Sequence, residues 1–364
     1  MKDFQIVAIN LGSTSTKIAC YQNDQKLFQE DLDHDSAVLS TFPTIWDQEE
    51  YRREAIRAFL HRRQVEVSGL DAIATRGGHT RPIPGGVYRI NEEMLRQSAS
   101  GLYGQHPTDL GLRLVWEFAK EGPVPLTVDP PTTDEFEPLA RYSGHPLFPR
   151  KSAFHALNHR AVGRQYAKDI GRPYEELNLV VVHMGGGITV AAHKQGKIVD
   201  ANNGLMGDGP FSTNRTGSVP VGALMELCFS GAYTQQQVKR LLGSQGGLTA
   251  YLGTSDVRQA EALAADAPKA MEALMAMCYQ VAKEIAGCGA VLCGRVDAIL
   301  LTGGIAHSAL ITGEIERRVG FLAPVVRYPG EYEMQSLALG AYDVLRGARQ
   351  ALELEPEALC SEGE

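Results

Sequence analysis

Several common signatures are missing from this 364-residue chain. Its six cysteines, Cys20, Cys228, Cys278, Cys288, Cys293 and Cys360, form no C-x-x-C pair. That argues against a zinc site or disulfide framework, and they read as small buried hydrophobes in a reducing compartment. No G-x-G-x-x-G occurs, and the one Gly-Lys pair, Gly196-Lys197, is followed by Ile198 rather than Ser or Thr. The dinucleotide fingerprint and the Walker-type phosphate loop are therefore excluded. Apolar runs such as 179–182 are far too short to span a bilayer. There is no Lys/Arg run, and the net charge is −8, so neither nucleic acid nor an anionic membrane is an expected partner. The start, Met1-Lys2-Asp3-Phe4, passes straight into strand-like sequence with no visible signal peptide, and a cytoplasmic location is expected.

Glycine is abundant instead: 38 residues, about a tenth of the chain against a typical ~7%. The glycines cluster just after apolar runs. Residues 4–28 (FQIVAINLGSTSTKIACYQNDQKLF) overlay 177–199 (LNLVVVHMGGGITVAAHKQGKIV). Ile9 matches Val182, Gly12 matches Gly185 and Thr16 matches Thr189, an offset of 173 residues. Each segment reads as a β-hairpin with a small-residue turn. A second pair, DAIATRGG at 71–78 and DAILLTGG at 297–304, follows in the same order at an offset of 226. Two ordered matches predict a duplicated α/β domain with an insertion in the second copy. Domains at 1–150 plus 331–364 and at 151–330 are expected. Residues 153–169 fit an amphipathic helix capped by Ser152, 267–293 a long buried helix and 334–350 a closing helix. The Pro-rich stretch 121–150 reads as irregular connection, and 353–364 as a frayed acidic tail.

The glycine turns are the first candidates for chemistry. Asn10, Gly12, Ser13, Thr14, Ser15 and Lys17 combine backbone N–H groups, hydroxyls and an ammonium, which suits a phosphate, and Asn10 could orient a water on Mg²⁺. An ordinary polar turn would carry the same residues. Gly185, Gly186 and Gly187 let backbone approach a ligand without Cβ interference. Gly303, Gly304, Ile305 and Ala306 join a strand to a helix-like stretch, an arrangement that suits a nucleotide. Arg76 and Arg215 lie in glycine-rich loops and could bind carboxylate or phosphate bidentately. His155 and His159 are four apart on a helix, but no third zinc ligand is evident, and His155 reads equally as a core or capping residue. His183 reads equally as a satisfied core imidazole. Asp129, Glu331 and Glu333 are loop carboxylates of the kind that solvent covers or that hold Mg²⁺.

Together these stretches resemble the acetate and butyrate kinase family of the actin, sugar-kinase and Hsp70 superfamily, with the butyrate branch nearer. The resemblance runs in order through INLGSTSTK (9–17), RGG (76–78), RPIPGG (81–86), DEFEPLARYSG (134–144), FHALNH (154–159), HMGGGI (183–188), NNGLMGDGPFS (202–212), GGLTAYLGTSD (246–256), LTGGIAHS (301–308) and YPGEYEMQSLALGAY (328–342). It implies duplicated RNase-H-like (actin-like ATPase) domains, ATP/ADP and Mg²⁺, and an active site in the interdomain cleft, where phosphate passes in line to a short-chain carboxylic acid. By the same resemblance Asn10, Ser13, Ser15 and Lys17 serve the first phosphate and metal loop, and His183 with Gly185, Gly186 and Gly187 the second. Arg76, Asp129, His155 and Arg215 are catalytic. Asp256 and Arg258 contact adenine, Gly303, Gly304, Ile305 and Ala306 the nucleoside, and either Glu331 or Glu333 the metal. A homodimer or a multiple of dimers is implied. His79-Thr80, Met184 and His307 depart from the family's usual pattern and bear on acid preference. Acetate or propionate as substrate, and a non-catalytic ATP-binding switch, are the competing readings. A switch would need none of Arg76, Asp129, His155 or Arg215.

Overall fold

The computed structural model describes residues 2–356, so Cys360 and the end of the acidic tail lie outside the described residues. The chain divides into two units, Met1–Thr133 with Tyr332–Glu364, and Asp134–Glu331.

The first unit is built on six strands: β1 (Gln5–Leu11), β2 (Ser15–Gln22), β3 (Gln25–Asp33), β4 (Ala72–Thr75), β5 (Val87–Arg89) and β6 (Val124–Val128), in sheet order β3-β2-β1-β4-β6-β5. β1 to β3 form an antiparallel meander, whereas β4 and β6 run parallel to β1. β1 is apolar almost throughout and buried on both faces, as a central strand of a mixed sheet covered on both sides should be. Val7, Ile9 and Leu11 share one core with Ile56, Phe59, Leu112 and Val115 from the helices Glu49–Arg62 and Leu110–Ala119. The helix Glu333–Leu345 returns from the far end of the chain to pack on β1, β4 and β6.

The second unit repeats the plan with β7 (Asn178–Met184), β8 (Ile188–Lys194), β9 (Lys197–Ala201), β10 (Ala298–Gly303) and β11 (Val325–Pro329), in order β11-β10-β7-β8-β9. β7 to β9 are the antiparallel meander, and β10 and β11 are parallel to β7 and to each other respectively. The duplication is therefore structural. The offset of 173 carries β1 onto β7 end to end, and the offset of 226 carries β4 onto β10. The register corrects one pairing. Leu11 faces Thr16 across the first turn, but Met184 faces Ile188 across the second, so the second turn is one residue shorter. Thr189 consequently occupies the place of Lys17, not of Thr16. The insertion lies between β9 and β10 and supplies five helices, the last being Pro268–Val291.

Four further expectations change. The helix expected from 153 is Ala156–Ile170; its N-cap position is His155, which makes no capping bond, so Ser152 is not the cap. Residues 121–150 are not all connection, since Val124–Val128 pairs with β4 inside the sheet. Residues 134–150 belong with the second unit, where Glu137 N–H donates to Val199 O, Arg150 Nη1 donates to Asp200 Oδ1, and Phe136 and Ala140 share a core with Phe154 and Ile198. Cys20, Cys278 and Cys288 are buried, but Cys228 and Cys293 are exposed; all five are free thiols.

Candidate functional site

In the first unit, three neighbouring parallel strands end at the same edge of the sheet. β1 ends beside Gly12, β4 before Arg76 and β6 before Asp129, and the register sets Ile9, Thr75 and Thr127 side by side. Ligands of parallel α/β sheets gather beyond such carboxyl ends. Here the sequence-predicted residues come together. Asn10 Nδ2 donates to Glu333 Oε2 at 2.7 Å, and Arg76 Nη1 lies 3.7 Å from Glu333 Oε1. Glu333 and Asp129 are buried, whereas Glu331 is exposed. Asp129 has φ +42°, a left-handed conformation that costs a non-glycine residue energy and tends to persist where surrounding structure imposes it. Arg76 Nε is buried with no hydrogen-bond partner among the described residues. Gly77 is required beside it, because a Cβ there would sit 2.2 Å from Thr127 Oγ1.

The turn itself rests on a residue the sequence reading missed. Arg52 is fully buried in the helix Glu49–Arg62. Its guanidinium donates to the carbonyls of Gly12, Ser13 and Ser15, to Thr16 Oγ1 and to Gln48 Oε1. Burial lowers its pKa from the ordinary value. The guanidinium thus holds the carbonyl side of the loop, while Ser13 and Thr14 stay exposed and Ser15 and Lys17 half-buried. Two histidines join this edge. His79 N–H and Nδ1 both approach Asp109 Oδ1, at 2.6 and 3.0 Å, and His106 Nε2 lies 3.5 Å from Ser13 Oγ. Burial, then the charges of Arg76 and His79, push the His106 pKa down. Nothing in the linear pattern around His106 or Arg52 marks either one; a lone Arg on an amphipathic helix reads as surface.

In the second unit a cavity of about 640 Å³ gathers Gly185, Gly186, Asp256, Arg258, Gly304 and Ile305 from three separate segments. Thr213, Ser255, Val257, Glu261, His307 and Ser308 complete its wall, none of them singled out as a nucleotide contact from sequence. Two helices begin at this wall. Asp256 Oδ1 caps Val257–Asp266 by accepting from Arg258 N–H at 2.9 Å, and Ser308 Oγ caps Ala309–Val319 by accepting from Ile311 N–H. Arg258 Nη2 also donates to Asp256 Oδ2, and that bond holds the Asp256 carboxyl below its usual range. Gly303 lies behind the wall: its φ is +89°, and a Cβ would meet Met184 O at 2.3 Å. Ala306 is packed in the core.

At the other side of the same turn stand Arg215 and two stacked histidines. Arg215 Nη1 donates to Gly204 O, and a Cβ on Gly187 would collide with that guanidinium. Arg215 N–H donates to Ser212 Oγ at 3.1 Å, and Ser212 Oγ donates to Gly186 O at 2.5 Å, so the arginine loop is tied to the glycine turn. The His155 and His183 rings stack at 4.0 Å and 19°. His183 Nδ1 lies 2.8 Å from Asn158 Nδ2, and a Cβ on Gly185 would be 3.4 Å from His183 Nε2. His183, left open as a core imidazole, is buried but reaches the turn.

Two sheets of one topology, each with a small-residue turn between its first two strands and each receiving parallel strands beside them, define the duplicated actin-like class of α/β proteins. Solved structures agree on the fold. The acetate kinase of Porphyromonas gingivalis is similar over 94% of this chain and 100% of its own, at 17% identity and a TM-score of 0.78. A propionate kinase from Francisella tularensis is similar over 93% and 98%, at 19% identity and 0.73. The acetate kinase of Entamoeba histolytica is similar over 92% and 98%, at 15% identity and 0.72. The acetokinase family profile matches residues 138–322, just over half of the chain. The chain belongs to the acetokinase family and is a phosphotransferase with a carboxyl group as acceptor. That removes the non-catalytic switch. No helix among the described residues is long and apolar enough to cross a membrane.

Proposed function

We propose that this enzyme makes the acyl phosphate of butyrate, or of a branched analogue such as isobutyrate, by direct in-line transfer from ATP. The observation that carries the nucleotide half is the cavity holding Gly185, Gly186, Asp256, Arg258, Gly304 and Ile305 together. The nearness of the sequence to the butyrate branch carries the acid. A second reading, acetate or propionate, is favoured by the titles of the similar structures, two acetate kinases and a propionate kinase. One methylene in an apolar pocket is worth only about 1–3 kcal/mol, so acids of neighbouring length compete closely.

In the transfer, a carboxylate oxygen bonds to the γ-phosphorus as the bond to the bridging oxygen of ADP breaks. The acceptor is already an anion, so no base is required, and we assign Asp129 an electrostatic and positioning role. Arg76 and Arg215 would neutralise the carboxylate and the equatorial oxygens of the phosphoryl group, with His155 as a further donor. His183 and the glycine turn would hold nucleotide phosphates. Magnesium fits the donor set of the first unit: the ion binds through one or two carboxylates and keeps several waters, and Glu333 offers a buried carboxylate already oriented by Asn10. The bound ion would supply charge neutralisation at the phosphates. Glu333 rather than Glu331 is the proposed ligand.

Hydroxylamine trapping of the acyl phosphate, with ATP and Mg²⁺ across straight and branched C1–C6 acids, tests this. The highest kcat/KM is expected for butyrate or isobutyrate. A maximum at acetate or propionate hands the site to the second reading, and no hydroxamate from any acid sinks both.

A further inference from the structure

His155 does not stand alone. Its Nδ1 lies 3.0 Å from Thr189 Oγ1, and the same hydroxyl lies 2.8 Å from Nε2 of His159. The Thr189 hydroxyl can accept twice but has one proton. It is fully buried and makes no other side-chain hydrogen bond among the described residues, so that proton goes to one of the two rings, and whichever ring gives it an N–H leaves the other to take the hydroxyl proton. The direction follows from the far side of His159. That residue is fully buried, and its Nδ1 has no hydrogen-bond partner among the described residues. Burial, with His193 and His183 nearby, drives its pKa well below the usual histidine value, so the ring is neutral and carries a single N–H. Placing that proton on Nδ1 would bury a donor with no acceptor, an arrangement native structures avoid. The proton therefore sits on Nε2 and is given to Thr189, and the Thr189 hydroxyl is given to His155 Nδ1.

We infer that Thr189 and His159 are positioning residues that lock His155 as the neutral tautomer with its proton on Nε2. This deepens the proposed transfer reaction and rests on the donor role given there to His155. Gly204 holds the lock in orientation. A Cβ at 204 would sit 2.3 Å from the Thr189 methyl, so the methyl fills that space and the hydroxyl is left facing the rings. The same glycine's carbonyl accepts from Arg215 Nη1, and its N–H donates to Ala153 O at 2.9 Å. The stacked ring follows the same logic. Asn158 Nδ2 can only donate, so His183 Nδ1 accepts and its proton also sits on Nε2. Two neutral rings with the same tautomer can stack at 4.0 Å without charge repulsion, and each offers an N–H donor.

The lock is read directly by long-range ¹H–¹⁵N correlation spectra of the full-length protein labelled at histidine, at pH 7. Substitution of His155 and of His159 by Gln assigns the two signals. Wild type is expected to show His155 as the Nε2–H tautomer. Thr189→Val, nearly isosteric, should leave His155 as a mixture of tautomers, and Thr189→Ser should restore the single form. Activity should follow the spectra, with kcat falling roughly 10-fold or more in Thr189→Val, as on loss of an orienting partner, and KM for ATP unchanged. An Nδ1–H tautomer of His155 in wild type overturns the inference even if Thr189→Val does not fold. So does an unchanged His155 signal in Thr189→Val. Locked tautomers in a protein that makes no acyl phosphate would leave the lock standing and refute the kinase assignment of His155 instead.

Discussion

Arg52 shows how a single residue can define a loop. A charged donor that serves three carbonyls and two side-chain oxygens from a buried position cannot be replaced by a flexible ammonium. Arg52→Met should destabilise the protein by roughly 3 kcal/mol or more, because several buried acceptors lose their donor, with urea midpoints as the readout. At the turn of the second unit, Arg215→Ala should lower kcat by roughly 10²-fold, the usual size of a lost transition-state donor. Full retention of kcat would remove Arg215 from the mechanism. The buried histidines make a prediction in pH. His193, its Nδ1 2.8 Å from Tyr174 Oη, is held by burial and by Arg160 at about 3, against 6.5 unfolded. The unfolded chain binds this proton first, so stability is complete above pH ~6.5 and declines as the pH falls toward ~3. The slope is up to ~1.4 kcal/mol per pH unit for each such group. Thermal melts at pH 7, 6 and 5 should trace it, and His193→Gln should flatten the curve.

At the level of elements, the helix Val221–Phe229 has no buried residue although eight of its nine residues are uncharged and mostly apolar. Val221, Met225 and Phe229 are 72%, 57% and 86% exposed. An exposed apolar stripe of this kind commonly marks a contact surface, and we propose that a second copy of the chain, in the oligomer the family resemblance implies, covers it. Met225→Glu with Phe229→Glu should halve the mass seen by sedimentation; an unchanged mass would move the interface elsewhere. The glycine turns were legible because their chemistry is local: Gly, Ser and Thr after an apolar run specify a turn whatever surrounds them. The start of helix Ala156–Ile170 was not, since Ser152 has a cap's side chain but the chain does not become helical until past His155. Nor was the turn shortened by one residue, which only strand pairing reveals.

Across the whole molecule, the duplication was readable because β1 and β7 are buried on both faces and tolerate few residue types, so their sequences stayed alike. The site was readable in parts. Gly185, Asp256 and Gly304 were named separately and meet in one cavity. Their meeting, like the meeting of Asn10 with Glu333, depends on contacts tens to hundreds of residues apart that no local pattern encodes. The proposed division of labour predicts that ADP alone slows amide exchange at 185–187, 255–261 and 304–308, while the turn at 12–17 remains unprotected until Mg²⁺ and acid are added. Protection at 12–17 by ADP alone would reverse the assignment of the units.

The helix Glu333–Leu345 has a consequence for biosynthesis. Leu337, Ala338 and Ala341 are fully buried in the first unit, and Gly340 lies so close to Val128 and Val87 that any side chain there would clash. The first unit thus begins before the second yet lacks part of its core until residues 333–345 have followed the whole of the second unit. The second unit is one contiguous segment and needs no later residues to complete its sheet. The released fragment 1–331 should therefore resist protease over 134–331 and be cut readily within 1–133.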